Sequence, residues 1–243
     1  MRNLFEAFAH RYDLHTPAWH YQHDHQLVLD LAAEQRPGCR ILDVGCGTGV
    51  LVEKARRAGF DAHGLDASVE MIAVARTRVP ADVVHVRRMQ EIGEKNCYDL
   101  IVSMSWSIHY CANRSEITEV LRRLRRALLP GGRILLQVAH SPNIVDEWRE
   151  DRESGPDGEP DDVSLRFRFW RDSFVAGRMN AEYVFECRSR REAFNESHVL
   201  EVADALQIAE LFQQSGFENP VIWDSCRRDV ALTNGSVFVT AVR

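Results

Sequence analysis

Ile41-Leu42-Asp43-Val44-Gly45-Cys46-Gly47-Thr48-Gly49 joins an apolar run to three glycines on alternate positions. An apolar run that ends in an acidic residue and breaks into glycines describes a buried parallel strand entering a tight turn that opens a helix. Glycine there lets a ligand lie against bare backbone. Gly64-Leu65-Asp66 follows one helix and one strand later, which sets a carboxylate at the end of the neighbouring strand, where it can accept from both hydroxyls of a ribose. A dinucleotide site uses G-x-G-x-x-G so that a pyrophosphate rests at the helix N-terminus. Here the glycines fall on every second position and Asp43 directly precedes the turn, an arrangement that repels pyrophosphate and suits a cationic ligand.

Outward from this turn the chain alternates like βαβ units, with strands near Arg40 to Val44, Asp61 to Asp66, Val83 to Arg87, Leu100 to Ser103 and Arg133 to Val138. Helices fit Val50 to Ala58, Val69 to Arg78 and Ser115 to Leu128, with Ser68 as an N-cap and Gly59 as a left-handed stop. Upstream, Leu4, Phe5, Phe8 and Tyr12, then Leu27, Val28 and Leu31, recur at helical spacing and predict two helices. Downstream the alternation breaks. Pro142 to Asp162, with Gly155-Pro156-Asp157-Gly158-Glu159-Pro160, reads as a mobile loop or lid. Val163 to Trp170, Met179 to Cys187 and Glu192 to Leu200 read as a small antiparallel sheet, Ala203 to Ser215 as a helix, and Val221 to Trp223 and Val237 to Val239 as the last strands. The expected organisation is a helical lid over residues 1–36, a core over 37–141 and 201–243, and an inserted cap over 142–200.

The 243 residues suffice for one large α/β domain with an insertion. A net charge of -6 lacks the basic excess of a nucleic-acid binder and favours a small-molecule substrate. The cluster Arg122, Arg123, Arg125 and Arg126 is read as an exposed helix face. Six cysteines without a CxxC pair point to reduced thiols and a cytoplasmic location. Met1-Arg2-Asn3-Leu4-Phe5-Glu6 has no apolar export core, and no stretch approaches the roughly 20 apolar residues of a membrane span. His10, His15, His20, His23 and His25 suggest a lid or solvated face rather than a metal site, because His23 and His25 point to different sides of a helix. No metal is expected, and the oligomeric state stays open, a homodimer included.

The glycine turn with Asp66 resembles the cofactor site of class I S-adenosylmethionine (SAM) dependent methyltransferases of the small-molecule type, most closely over Tyr12 to Val138. The resemblance implies a Rossmann-like seven-stranded sheet, SAM as methyl donor and S-adenosylhomocysteine (SAH) as product. It implies that Gly45, Cys46 and Gly47 lie against the ligand, that Asp43 orders the loop or meets the ammonium through water, and that Asp66 and Ala67 hold the ribose, with Met71 beneath the adenine. Tyr12 resembles a tyrosine that closes over the cofactor carboxylate. Where the family commonly has Gly-Asp-Ala, this chain has Arg87-Arg88-Met89-Gln90, so Arg88 replaces the acid and Met89 and Gln90 become the adenine contacts. Ser103-Met104-Ser105-Trp106-Ser107-Ile108-His109-Tyr110 matches the segment beneath the methionine part, with Ser103 and Ser105 as contacts. That segment and the inserted sheet also resemble the N-methyltransferases of amino sugars and glycine-type amines.

Methyl transfer needs a lone pair aligned with the S–CH3 axis and water excluded. An amine must become neutral, a hydroxyl usually needs a base, and a carboxylate needs neither. His109, just beyond the fourth strand, is the first candidate for a base or a substrate partner, with a buried structural histidine as the competing reading. Tyr110 stands beside it as the second catalytic candidate, and Trp106 and His140 share the same edge. The expected activity is methylation of a small-molecule amine. O-methylation is the nearest alternative, and a non-catalytic SAM-binding module and an NAD-dependent dehydrogenase stand further off.

Overall fold

The computed structural model describes residues 4–155 and 157–243; Met1, Arg2, Asn3 and Pro156, which figure in the sequence readings above, lie outside them. The chain forms α1 (Tyr12–His15), α2 (Gln22–Gln35), β1 (Arg40–Val44), α3 (Val50–Arg57), β2 (Asp61–Asp66), α4 (Val69–Ala75), β3 (Val84–Val86), β4 (Tyr98–Ser103), α5 (Arg114–Ala127) and β5 (Leu128–Ala139). It continues with β6 (Arg149–Glu153), β7 (Val163–Arg171), β8 (Arg178–Cys187), β9 (Glu192–Glu201), α6 (Ala205–Gln214), β10 (Glu218–Trp223) and β11 (Ser236–Val242).

Seven strands make one sheet in the order β3-β2-β1-β4-β5-β11-β10. β1 through β5 run parallel, and β11 lies antiparallel to both β5 and β10. Successive strand residues face opposite sides, which is why the core is two layers. Ile41, Leu100, Val102 and Leu135 pack with Leu31, Val52 and Ile72 of α2, α3 and α4. Leu42, Val44, Ile101, Ile134 and Leu136 pack with Val120, Leu124 and Phe212 of α5 and α6 on the opposite face. Strand order reverses between β1 and its two neighbours β2 and β4, so a crevice opens at the carboxyl ends of these strands.

The caps explain where helices begin. Ser68 accepts the Met71 N–H at 3.0 Å, Asn113 accepts that of Glu116 at 3.0 Å, and Asp204 with Gln207 forms a reciprocal capping box. α4 stops at Ala75 rather than Arg78, and β5 begins at Leu128, so Pro130-Gly131-Gly132 lies inside the strand instead of before it. Pro220 is tolerated because β10 is an edge strand with a register shift between Glu218 and Val221. Of the basic cluster on α5, Arg123 pairs with Glu119 at 3.1 Å and Arg125 donates to the Gly216 carbonyl at 2.7 Å.

Between β5 and α6 a second sheet is inserted, antiparallel, in the order β6-β7-β8-β9. Its first strand falls within Pro142 to Asp162, where a loop was expected. Arg149-Glu150-Asp151-Arg152-Glu153 carries no apolar alternation and pairs with β7 as a charged, largely exposed edge. The N-terminal segment is less helical than its periodicity suggests, with turns and a short 3-10 helix (Ala9–Arg11) before α1. Leu4, Phe5, Phe8, Tyr12 and Leu14 pack against Leu165, Phe185 and Phe194 of the inserted sheet. All six cysteines are free thiols, and among the described residues no helix is long and apolar enough to cross a membrane.

Candidate active site

At the carboxyl end of β1 the chain turns through Gly45, Gly47 and Gly49, all with positive φ. Gly45 also needs its missing side chain, since a Cβ there would stand 2.6 Å from the Ser107 hydroxyl. The Gly45 and Cys46 amides both donate to the Leu65 carbonyl, at 2.8 and 3.0 Å, tying the turn to β2. Asp66 at the tip of β2 accepts the Gly47 N–H at 3.0 Å through one carboxylate oxygen and the Ser68 N–H at 2.8 Å through the other. Its carboxylate therefore shapes the glycine turn, and each oxygen retains a lone pair for a further donor. Burial raises its pKa and these amides work the other way.

Asp43 is enclosed beneath the turn, 3% exposed, with Oδ1 lacking a hydrogen-bond partner. Burial, reinforced by Asp66, pushes its pKa up to about 7. A buried carboxylate oxygen without a donor is the feature a cationic ligand would complete.

A cavity of about 660 Å3 opens over this turn, within the roughly 300–1,000 Å3 typical of small-molecule sites. Tyr12, Asp43, Gly45, Cys46, Gly47, Asp66, Ala67, Met71, Met89, Gln90, Ser105 and Tyr110 all line it. Ser103 does not. Its hydroxyl is buried and donates to the Val44 carbonyl at 2.8 Å, locking β4 to β1. Past β4, Ser105 and Trp106 both take positive φ without being glycine, a strained segment held where the Ser105 N–H meets Gln137 Oε1 at 2.8 Å.

Of the two readings of His109, the geometry matches the buried structural histidine. His109 is fully buried and does not line the cavity. Nδ1 meets the Glu201 carbonyl at 2.9 Å and Nε2 accepts the Ala139 N–H at 2.9 Å, so the ring is the neutral Nδ1–H tautomer with both nitrogens engaged. Burial lowers its pKa to about 4, the Glu201 carbonyl opposing. Trp106 turns to the inserted sheet, its ring 4.9 Å from Phe169 and its N–H donated to Ser236.

Several further cavity residues were not among the site candidates read from the sequence. Phe5, Thr16, Tyr21 and His25 come from the N-terminal segment and α2. Asp13 accepts the Thr48 hydroxyl at 2.7 Å and pairs with Arg78, fastening that segment across the glycine turn. His20 meets Glu153 at 3.0 Å and His25 faces the cavity, its pKa lowered to about 4 by burial and then Lys54. The side chain of His15 lies outside the description.

A mixed seven-stranded sheet whose strand order reverses at β1, with a glycine turn there and a carboxylate at the tip of β2, defines a class I SAM-dependent methyltransferase fold. Residues 20–220 match the model of the methyltransferase domain family, and the chain belongs to that family. A dTDP-3-amino-3,6-dideoxy-α-D-glucopyranose N,N-dimethyltransferase from Streptomyces fradiae is 30% identical over 117 residues, 46% of each chain. A ubiquinone biosynthesis O-methyltransferase from Sodalis glossinidius is 31% identical over 144 residues, 55% of this chain and 56% of the relative. The chain thus spans about half the length of these two relatives. The sugar N-methyltransferase KedS8 from Streptoalloteichus sp. superposes with a TM-score of 0.74 over 96% of this chain and 92% of its own, at 22% identity, a likeness of fold.

Proposed function

We propose that this protein transfers a methyl group from SAM to the amine nitrogen of a small metabolite, an amino sugar or an amino-acid-like compound. SAM supplies a methyl carbon already activated by a sulfonium leaving group. Asp66 and Ala67 would hold the ribose, the Gly45 to Gly47 backbone and Asp43 the charged amino-acid part, and Met71, Met89 and Gln90 the adenine. β2 and β4 are two strand spacings apart, about 10 Å, which leaves a separate region of the cavity for the acceptor beside Ser105 to Tyr110.

The observation that carries the amine reading is the wall of that region. Tyr12, Tyr21 and Tyr110 line the cavity, and tyrosine offers an ammonium both a ring face and a hydroxyl acceptor. The aminosugar N,N-dimethyltransferase among the relatives and the sugar N-methyltransferase fold support the same reading. Residues 1–36 serve in this account as a lid and 142–200 as a cap over the acceptor.

SAM turnover with a panel of aminosugar nucleotides, amino acids and their hydroxyl analogues tests it, the new methyl being located by NMR. SAH formation with the methyl on nitrogen is expected. A methyl on oxygen, or SAM binding without turnover across the panel, would overturn it.

A further inference from the structure

Tyr110 carries its hydroxyl to His198 on β9, with Oη 2.6 Å from Nδ1. The opposite nitrogen of that ring, Nε2, lies 2.9 Å from Glu196 Oε1. Glu196 and His198 are two apart on one strand and so share a face. His198 is 3% exposed and stands among the rings of Phe5, Tyr183 and Tyr110, at centroid distances of 5.4, 5.2 and 5.6 Å. Among the described residues Glu196 has no arginine or lysine partner. Its Oε1 receives His198 and the Leu4 N–H at 3.1 Å, while Oε2 is buried without one. Within this chain Glu196 is thus met by one imidazole and one backbone amide.

We propose that Tyr110, His198 and Glu196 form a proton relay that deprotonates the acceptor, with Tyr110 the group that touches it and His198 and Glu196 acting through Tyr110. The relay rests on the amine-methylation reading above. In the resting site Glu196 holds the Nε2–H tautomer, and Nδ1 accepts the Tyr110 O–H. An acceptor ammonium gives a proton to Tyr110 Oη while Tyr110 gives its own to His198 Nδ1, producing an imidazolium against Glu196 and a neutral amine. The nitrogen lone pair then forms the N–CH3 bond as the S–CH3 bond breaks and its electron pair returns to sulfur. The proton on His198 leaves by the reverse route through Tyr110 once product has departed. The net release is one proton per methyl. A relay of this kind explains why the inserted sheet delivers a histidine and a glutamate to the side of a cavity that neither lines.

The groups facing the relay are Tyr12 of α1 and Tyr183 of β8, both with pKa raised chiefly by burial, and Tyr21 ahead of α2, also raised by burial. None of them ionises in the neutral range; Asp43, pushed up to about 7, does, so the relay is read from the difference between the pH profiles of His198→Asn and the wild type, which share Asp43. The test uses dTDP-3-amino-3,6-dideoxy-α-D-glucopyranose and its 3-hydroxyl analogue as probes, with His198→Asn, Glu196→Gln and Tyr110→Phe. The expected result is a loss of roughly 100-fold in kcat/KM at neutral pH for His198→Asn, recovered as pH rises and solution supplies the free amine, with SAH affinity unchanged. A loss equal at every pH, or none, would overturn the relay. Methylation of the hydroxyl probe alone would overturn the amine reading while testing the relay equally, because a hydroxyl needs the base more. Independently of turnover, 15N NMR of the SAH-bound protein should show His198 protonated at Nε2 and accepting at Nδ1, with Nδ1 shifting in Tyr110→Phe. A proton on Nδ1 and a bare Nε2 would contradict the assignment, as would a His198 spectrum unmoved by Tyr110→Phe.

Discussion

Asp43 and Asp66 sit at the carboxyl ends of adjacent strands and do opposite things with their charge. Asp66 spends it on the Gly47 and Ser68 amides, whereas Asp43 has an oxygen with no donor and a pKa pushed up to about 7 by burial and Asp66. A carboxyl whose folded pKa exceeds its unfolded value contributes stability at low pH that is lost as pH rises through the folded value. Without ligand, Asp43→Asn should therefore match the wild type below about pH 4 and become progressively more stable than it up to about pH 7. The gain should read as roughly 2–4 °C in Tm for each kcal/mol recovered. The same variant should bind SAM more weakly, since the ligand's charge is what Asp43 lacks. Calorimetric melts from pH 4 to 8 measure the first effect and titration the second. A variant less stable than wild type at pH 7 would show that the orphaned oxygen carries no cost. His109 makes a complementary case. Removing its ring in His109→Ala abandons the Ala139 N–H and the Glu201 carbonyl in the core, a loss of about 2–4 kcal/mol. A drop of roughly 5–15 °C in Tm is expected, with SAH affinity within about threefold of wild type. Lost binding with an unchanged Tm would return His109 to the site.

The N-terminal segment is tied to the cavity wall and to the inserted sheet by polar bonds. Asp13 links the N-terminal segment to Thr48 and Arg78, Ser68 donates to the Phe5 carbonyl, and Arg11 reaches Glu192 of β9 through two nitrogens at 3.0 and 3.1 Å. Asp13→Ala should leave the sheet intact and speed SAH dissociation, with affinity falling several-fold. Hydrogen exchange should show residues 5–21 slowed by SAH in the wild type and much less so in the variant. Equal protection in both would mean that the segment does not cover the ligand. Elements with strong periodicity, such as β1, β2, α3 and α5, were legible to within a residue or two because burial on one or both faces imposes a repeat. β6 was not, because an exposed edge of Arg, Glu and Asp has no apolar repeat to read. Ser103, implied by the resemblance, and His109, placed by its position beyond the fourth strand, do not line the cavity. One residue of register decides whether such a side chain faces a cavity or the neighbouring strand. Tyr21, His25 and Asp13 reach the cavity by tertiary packing that local pattern does not encode. Glu196 and His198 did carry a signal, two polar residues on the inward face of an alternating strand.

At the scale of the molecule, one sheet and one inserted sheet divide the work. The seven-stranded sheet places the turn after β1 beside the tip of β2 because parallel strands end at a common edge, and reversal of strand order at β1 keeps that edge uncovered. The inserted sheet and the N-terminal segment share a small hydrophobic cluster, apart from both layers of the main core. Calorimetric titration of SAH into the wild type and Asp66→Ala probes the foundation of this arrangement. One SAH per chain is expected, weakened by 10- to 100-fold in the variant, about what losing one or two charge-assisted hydrogen bonds costs. No heat of binding in the wild type, or equal affinity in both proteins, would contradict it.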